Sequence, residues 1–157
     1  MKTETPKIRL SARDDDDIAV FSTLLQDAII PGADMTFKKE SKEFVIVANR
    51  FCWELEPSTD LKSNTGKPLH ERRLCGIRIS HINSVRQYQW PKSRQDTLFN
   101  LLALRCLNMA KKARGGYALQ LEFSGGSSLR LNVDAIDVLL IDLDQGYPTS
   151  LQPSHQT

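Results

Sequence analysis

Cysteine is scarce in this chain of 157 residues, which contains only Cys52, Cys75 and Cys106 and no Cys-x-x-Cys pair. Small secreted domains that depend on disulfides contain an even and much higher number of cysteines, so this count argues against that class and fits a reducing compartment. No apolar run reaches the about 18–20 residues that a membrane-spanning helix requires, and residues 1–10 lack the apolar segment of a signal peptide. We therefore expect a soluble, cytoplasmic protein that does not bind membranes.

The sequence also lacks the motifs by which catalytic and metal sites are commonly recognised. The metal-capable residues His70, Cys75 and His81 do not follow the spacing of zinc ligands. Neither glycine pair, at 115–116 or at 125–126, is followed by the lysine and helix of a phosphate-binding loop. No cysteine lies in a nucleophile motif with a histidine partner. The sequence thus predicts no catalytic residue, no metal and no cofactor.

Positive charge is scarce at both ends of the chain and concentrated in its middle. Residues 1–60 contain 8 Lys/Arg against 12 Asp/Glu, residues 61–114 contain 12 against 2, and residues 115–157 contain 1 against 5. The segments therefore carry net charges of −4, +10 and −4, whereas the whole chain carries only +2. Such a basic middle segment between acidic ends indicates either one anion-attracting face or charge pairing within the fold.

A strand and then a helix are predicted near the N-terminus. Charged and apolar residues alternate over 7–12, which is typical of a half-buried strand. Ser11 and Asp14 resemble a capping box, and the run of aspartates that begins at Asp14 suits the positive end of a helix dipole. Apolar residues then recur at a spacing of three and four as far as Ile29, and the Pro-Gly pair at 31–32 is expected to stop the helix.

After this helix the hydrophobic pattern has a period of two, which predicts strands. They are expected over 35–39, 43–49 with an extension to 56, 74–79, 82–90, 117–123 and 129–133. Residues 98–109 suit either a helix or a buried strand, and we favour a strand because the neighbouring segments are strands. Residues 135–144 suit a final strand or a short helix.

The predicted fold class is α+β, with one N-terminal amphipathic helix and about seven or eight mostly antiparallel strands. We expect the strands to form a bent sheet or a partly open barrel, of which a pleckstrin-homology-like barrel is one example. Residues 7–145 would form a single domain, after a disordered N-terminus at 1–6 and before a C-terminal tail at 146–157. Residues 57–69, which contain several proline, serine and asparagine residues, are predicted to be a flexible loop.

The basic middle segment interleaves cations with aromatic residues. Arg86, Tyr88 and Trp90 share one face of a strand if the period-two alternation holds, and Arg72 and Arg73 supply further positive charge. Arginine and aromatic side chains on one sheet face can bind phosphates and stack on bases. Two further arginines that can join this face are Arg78 and Arg105. The alternative is a solvated face whose arginines pair with acidic residues on neighbouring strands, namely Glu54, Glu56, Glu122, Asp134 or Asp137.

A second aromatic cluster contains Phe51 and Trp53, which alternate along one predicted strand. Core packing explains at least one of these large side chains. If the other forms an exposed patch, a protein partner becomes a better explanation than a small substrate.

The same regions resemble a known protein family. The helix segment at 16–28, the block Asn-Arg-Phe-Cys-Trp-Glu at 49–54, Glu-Arg-Arg at 71–73 and the closing segment at 123–133 are similar to the alphaproteobacterial domain-of-unknown-function family numbered 2948. The similarity covers the chain from about residue 7 to residue 145. It implies a bacterial, cytoplasmic, single-domain protein, and it assigns no activity, cofactor or catalytic residue.

Three functions remain open from the sequence. The first is a non-enzymatic binding module whose basic, aromatic sheet face binds an acidic protein surface or a nucleic acid. The second is a structural or assembly protein, a homodimer joined through a strand edge or through the patch of Phe51 and Trp53. The third is an enzyme whose site lies near Trp53, Glu54 and the loop at 57–69.

Overall fold

The computed structural model describes residues 6–55, 58–62, 68–108, 116–144 and 146–149. Within these residues the backbone is mostly antiparallel β-sheet, with one α-helix, α1 (Asp15–Leu25). The strands are β1 (Arg9–Ala12), β2 (Ile29–Pro31), β3 (Met35–Lys38), β4 (Glu43–Phe51), β5 (Ser58–Lys62), β6 (Pro68–Ile79), β7 (Ile82–Tyr88), β8 (Leu98–Asn108), β9 (Tyr117–Phe123), β10 (Ser128–Val133), β11 (Val138–Asp142) and β12 (Tyr147–Thr149). Short 3₁₀ turns lie at Gly32–Asp34, Arg94–Asp96 and Ser124–Gly126.

The described strands belong to one sheet of twelve strands. Its main path runs in the order β1-β11-β6-β4-β2-β8-β9-β10-β7, while β3 pairs with β4, and β5 and β12 pair with β6. Strands β1 and β7 are the two ends of this path, so the sheet is open. In the ambiguous segment at 98–109, residues 98–108 form the strand β8, as predicted, and Met109 lies outside the described residues.

The predicted fold class is wrong. We expected an α+β domain in which about seven or eight strands form a bent sheet or a partly open, pleckstrin-homology-like barrel, but the described chain is mostly antiparallel β with twelve strands in one open sheet. The prediction missed short strands such as β2, β5 and β12, which contain three, five and three residues. Such short strands pair through backbone groups and need no alternating hydrophobic pattern.

The missed strands also bear on the predicted loop and tail. Strand β5 and the first residues of β6 lie inside the segment 57–69, and β12 lies inside the segment 146–157. Residues 1–5 and 63–67 lie outside the described residues, as do most of the residues of the predicted tail.

The predicted N-terminal helix is present, but its ends differ from the prediction. Asp14, rather than Ser11, is the N-cap residue, because its carboxylate accepts a hydrogen bond from the backbone N–H of Asp17 at 2.8 Å. The helix ends at Leu25, and Asp27 then adopts a φ of 66°. This left-handed residue redirects the chain, so the apolar residues that follow form β2 instead of another helical turn.

Every second residue of the central strands points inward, and these inward-facing side chains form the core. On β4, β6 and β11 the registers align buried residues in rows, of which Ile46, Ile77 and Leu140 form one. The helix α1 packs against β8 and buries Ile18 and Phe21. Within the described residues, no helix has the length and apolar character needed to cross a membrane.

Candidate functional site

The residues predicted to contact a partner lie in two separate regions. Phe51, Trp53, Arg72 and Arg73 surround the paired ends of β4 and β6. Arg86 and Tyr88 lie on β7, and Trp90 follows that strand. Because β2, β8, β9 and β10 lie between β4 and β7 in the strand order, the structure does not bring the two groups onto one face.

The first region is an outward-facing row of polar residues that crosses β7, β10, β9 and β8. The register places Arg86 opposite Arg130, and Arg130 opposite Gln120. Gln120 in turn lies opposite Arg105. The adjacent row on the same face begins with Tyr88 on β7. We call this surface the basic face and define it by Arg86, Tyr88, Arg105, Gln120, Glu122 and Arg130.

Hydrogen bonds connect most of the basic face. Arg130 donates from Nε and Nη2 to Oε1 of Gln120 at 3.2 and 2.9 Å, and its guanidinium carbon lies 5.7 Å from the ring centroid of Tyr88. The Gln120 amide donates to Oε1 of Glu122 at 3.1 Å. Arg105 pairs with the same Glu122 oxygen at 2.9 Å. The network therefore fixes the orientation of these side chains before any partner binds.

Arg86 differs from the rest of the basic face. Its side chain is exposed, and it forms no ion pair or hydrogen bond with any residue that the structure describes. Like charges directly opposite each other on neighbouring strands repel, and Arg86 lies directly opposite Arg130. An anion bound between the two guanidinium groups would relieve this repulsion.

Trp90 does not share the basic face, although period-two alternation from Tyr88 predicted that it would. Strand β7 ends at Tyr88, and Gln89 adopts a φ of 48°, which breaks the alternation. The Trp90 ring stacks on Phe99 with centroids 4.7 Å apart and meets the edge of Phe123 at 6.0 Å. Trp90 therefore packs against the core on the opposite side of the sheet.

The second region is a group of five charged side chains at the end of the core, of which Glu54 and Glu71 are partly exposed. We call it the buried charge cluster and define it by Arg50, Glu54, Glu71, Arg73 and Asp142. Arg50 donates to both oxygens of Asp142 at 2.8 and 2.9 Å and to both oxygens of Glu54 at 2.8 and 2.9 Å. Arg73 donates to Asp142 at 2.9 Å and also to Glu71. The side chains of Arg50, Arg73 and Asp142 are completely buried.

Hydrogen bonds within the buried charge cluster favour the ionised forms of Asp142 and Arg50. Burial alone raises the pKa of the Asp142 carboxyl, but the hydrogen bonds from Arg50, the backbone N–H of Ile8 and Arg73 outweigh it and hold that pKa below its ordinary value. Burial likewise lowers the pKa of Arg50, and its bonds to Glu54 and Asp142 reverse the shift and raise it. Removing one member of such a cluster should destabilise the fold, because the charges that remain buried are then less completely compensated.

The cysteine beside this cluster is not poised as a nucleophile. Burial raises the pKa of the Cys52 thiol to about 12, although the nearby Arg50 guanidinium opposes the shift. Very little thiolate is therefore present near neutral pH. Glu54, which we considered from the sequence as part of an enzyme site, accepts hydrogen bonds from Arg50 at both carboxylate oxygens.

Phe51 and Trp53 form a packed aromatic group rather than an open patch. Phe51 is 2% exposed and lies beneath Trp53, His70 and Arg72. Its ring centroid is 4.5 Å from the ring centroid of Trp53 and 5.3 Å from that of His70, and 5.6 Å from the guanidinium carbon of Arg72. Trp53 donates from its indole Nε1 to the backbone oxygen of Gln26 at 2.7 Å. The half-buried Trp53 thus joins the end of β4 to the residue that follows α1.

Arg72 and Arg73 were predicted to act together, but adjacent residues of a strand point to opposite faces. Arg73 is completely buried in the charge cluster. Arg72 lies opposite Phe51 on β4, is half-buried, and donates to the side-chain oxygen of Asn49 at 3.2 Å. Of this pair, only Arg72 is accessible to a partner.

A family model for proteins of unknown function, DUF2948, matches residues 8–155 of the chain. The chain belongs to this family. The predicted family is thereby confirmed, while an alphaproteobacterial origin stays a prediction. No curated protein and no solved structure matches the DUF2948 chain significantly.

Arg130 and Gln120 of this DUF2948 protein are not among the site residues predicted from the sequence, although a local signal for them exists. Segments 117–123 and 129–133 alternate cleanly around a Gly-Gly turn, so the hairpin register that places Arg130 opposite Gln120 follows from local sequence. The pairing of β10 with β7, which adds Arg86 to the row, joins segments distant in sequence and has no local signal.

Proposed function

We propose that this DUF2948 protein is a non-enzymatic binding module whose basic face docks an acidic protein surface. The proposal rests on one observation. Arg86 and Arg130 lie opposite each other on neighbouring strands, in a row that also contains Arg105, and Glu122 is the acidic residue of that face. Such a surface attracts anionic groups and is more favourable when an anion occupies it.

The spacing of the row suggests how an acidic partner would fit. Neighbouring strands lie about 4.8 Å apart, so Arg86 and Arg130 are separated by about one strand spacing and Arg130 and Arg105 by about two. Carboxylates on successive turns of an acidic helix recur at a similar distance, about 5–6 Å. We therefore infer that an acidic helix laid across the strands can contact all three arginines.

The composition of the basic face favours a protein over a nucleic acid. Arginine and tyrosine, together with tryptophan, are enriched among the residues that carry most of the binding energy of protein interfaces. The ring of Tyr88 already faces the guanidinium of Arg130, which leaves less of it for base stacking. Gln120 and Glu122 add hydrogen-bond acceptors to the face, and the whole chain carries a net charge of only +2. A general nucleic-acid binder would need a stronger positive field.

The experiment is affinity capture from a lysate of the source organism, treated with nuclease, followed by titration of the identified protein. The charge reversals Arg86→Glu and Arg130→Glu should each weaken binding by about 10- to 100-fold, because each replaces an attraction by a repulsion at the interface. Binding to the wild-type protein should also weaken as the salt concentration rises.

Arg9→Glu is the matched control, because Arg9 is exposed on β1, at the opposite end of the sheet. This variant carries the same change in net charge and should bind within about twofold of the wild type. Equal weakening by Arg9→Glu would show that only net charge matters. Loss of the captured material on nuclease treatment would show that the ligand is a nucleic acid, and either result would contradict the proposal.

A further inference from the structure

The outer surface of the sheet differs between its two halves. The basic face lies on β7, β8, β9 and β10, whereas the outward positions of β4, β6 and β11 are mostly apolar. These positions point away from the core, because they alternate with the buried residues Ile46, Ile77 and Leu140. We call this second surface the apolar face and define it by Val45, Val47, Leu74, Gly76, Ile141 and Leu143.

Strand pairing makes the apolar face continuous. Val47 lies opposite Gly76, and Gly76 lies opposite Ile141, so these three residues form one row across the strands. Leu74 and Leu143 form the next row, because the backbone N–H of Leu143 donates to the carbonyl oxygen of Leu74 at 2.8 Å. These two leucines are 39% and 48% exposed, and the other members of the face are half-buried. The apolar face is thus one connected patch from which two leucines project into solvent.

The composition of these strands is typical of a sheet that is covered on both faces. An antiparallel sheet with one face in water alternates apolar and polar residues, whereas strands covered on both faces consist of nearly continuous apolar runs. Residues 44–48 of β4 and 138–141 of β11 are such runs. Contiguous apolar patches on a protein surface mark interaction sites. The pattern therefore indicates that a further layer packs on the apolar face.

Gly76 lies at the centre of the apolar face, and the chain itself has space for a larger residue there. The nearest atoms to a Cβ on Gly76 would belong to the Leu143 side chain, 3.8 Å away, which is an ordinary contact distance. Glycine weakens the interior of a strand and often marks a place where another backbone approaches closely. The missing side chain therefore leaves room at this point for atoms from outside the chain.

Charges of both signs border the apolar face, at opposite ends of the β6 segment that it covers. At one end, Arg78 pairs with Glu43 at 3.4 Å, and the Arg78 side chain is 49% exposed. At the other end, Asp144 accepts a hydrogen bond from the backbone N–H of Leu74 at 3.1 Å. A second copy turned end to end would place Arg78 of each copy beside Asp144 of the other. This border is complementary to itself, as an interface between two identical chains requires.

The extent of the surface also suits a dimer. With strands about 4.8 Å apart and about 3.4 Å per residue, the outer surface of β11, β6, β4 and β3 measures roughly 19 by 30 Å along the nine residues of β4. Its plane area of about 600 Å² is smaller than its accessible area, because side chains project from it, and a specific interface buries about 800 Å² on each partner.

We propose that the apolar face joins two copies of this chain in a two-fold symmetric dimer. The two sheets pack face to face, about 10 Å apart, and the Leu143 side chains fill the space over the two Gly76 residues. This surface differs from the strand edge and from the patch of Phe51 and Trp53 that the sequence suggested for a homodimer. The basic face of each copy stays accessible, because it lies on other strands.

Sedimentation velocity, measured from low micromolar to nearly millimolar protein, tests the dimer. The wild-type protein should pass from a mass of 17.8 kDa to twice that mass as its concentration rises. Leu74→Lys should weaken the association by about tenfold or more, because it buries an unpaired charge in the interface. A wild-type protein that stays monomeric at the highest concentration would overturn the proposal.

Leu102→Lys is the matched control. Leu102 is 40% exposed, against 39% for Leu74, and lies on β8, outside the apolar face. The control makes the same substitution at the same exposure, so it should associate like the wild type. Equal weakening of association by the two lysine variants would overturn the proposal.

Gly76→Ala separates association from folding. Within one chain the added methyl group has space, so the urea midpoint, measured on dilute monomer, should be unchanged or slightly higher. In the dimer, two added methyl groups meet at the centre of the interface and should weaken association by about tenfold. Association that is unchanged in Gly76→Ala would overturn the proposal. None of these variants alters the basic face, so this test and that of the proposed function can fail separately.

Discussion

Replacing Asp142 by asparagine tests whether the buried charge cluster stabilises the fold. The Asp142 carboxylate accepts two hydrogen bonds from Arg50, one from Arg73 and one from the backbone N–H of Ile8, at 2.8 to 3.0 Å. Asparagine has the same shape but no charge, and it presents an amide NH₂ to groups that are themselves donors. Two buried guanidinium groups would then lose the charge that they share.

The expected loss is large for a single substitution. Removing one partner of a buried ion pair costs about 3–5 kcal/mol of unfolding free energy. For a chain of this size, each kcal/mol lowers the melting temperature by about 2–4 °C, so Asp142→Asn should lower it by roughly 6–20 °C. The assay is urea unfolding followed by circular dichroism, with thermal unfolding as a second measurement.

Asp137→Asn is the matched control for this substitution. The Asp137 side chain is 30% exposed, forms a longer ion pair of 3.9 Å with Arg13, and lies 3.7 Å from Nε2 of His81. Exposed pairs of this kind contribute less than about 1 kcal/mol, so the control should unfold almost like the wild type. If Asp142→Asn is no more destabilising than Asp137→Asn, the reasoning about the buried charge cluster is refuted.

The same carboxylate predicts how stability depends on pH. Because its pKa is lower in the folded protein, the unfolded chain takes up the proton first as the pH falls. Its stabilising contribution is therefore complete above the unfolded pKa of about 3.9 and is lost as the pH falls further through the folded value. Wild-type stability should fall more steeply below about pH 4 than that of Asp142→Asn, and parallel profiles would contradict this explanation.

Two further predictions concern the cysteines and one glycine. Burial raises the pKa of the Cys52 and Cys75 thiols to about 12 each and that of the Cys106 thiol to about 11. At pH 8 a thiol reagent should therefore react slowly with the native protein, first at the half-buried Cys106, and rapidly with all three cysteines once the chain unfolds. Rapid labelling of Cys52 in the native protein would contradict this burial. Gly32→Ala should destabilise the protein by about 1–3 kcal/mol in urea unfolding, because its Cβ would lie 1.8 Å from a backbone oxygen. Gly125→Ala, which meets open space and adds only the strain of its φ of 85°, should cost about 1 kcal/mol, and equal losses would show that the contact at Gly32 is unimportant.

Features of the fold that depend on residues close together in the sequence could be predicted from it. The start of α1 follows from a run of aspartates before an apolar face, and the β9–β10 hairpin follows from alternation around a Gly-Gly turn. The end of α1 could not be predicted in the same way, because the apolar spacing continues to Ile29. Only the left-handed conformation of Asp27 and the pairing of β2 with β4 and β8 end the helix.

The candidate site was predicted in part, and the missing part is long-range. Arg86 and Tyr88 share a face, as the alternation indicated, and Arg105 joins it. Arg78, which was also expected to be able to join it, lies on β6 beside Glu43. The position of Arg130 depends on the order in which the strands pair. The buried charge cluster joins Arg50 to Asp142 across 92 residues of sequence. The alternation of residue types shows only which positions lie on the same face of a strand. It does not show that oppositely charged residues from distant strands meet at the end of the core and form the buried charge cluster.

The most direct test of the basic face is photo-crosslinking from Tyr88. A benzophenone amino acid at this position replaces one aromatic side chain by another on a strand where the residue is 40% exposed. The same amino acid at Leu10, which is 38% exposed on β1, is the control at the opposite end of the sheet. We expect a crosslink from position 88 to an acidic protein segment, which is lost in Arg130→Glu and absent from position 10. A crosslink to nucleic acid, or the same protein crosslinked from both positions, would contradict it.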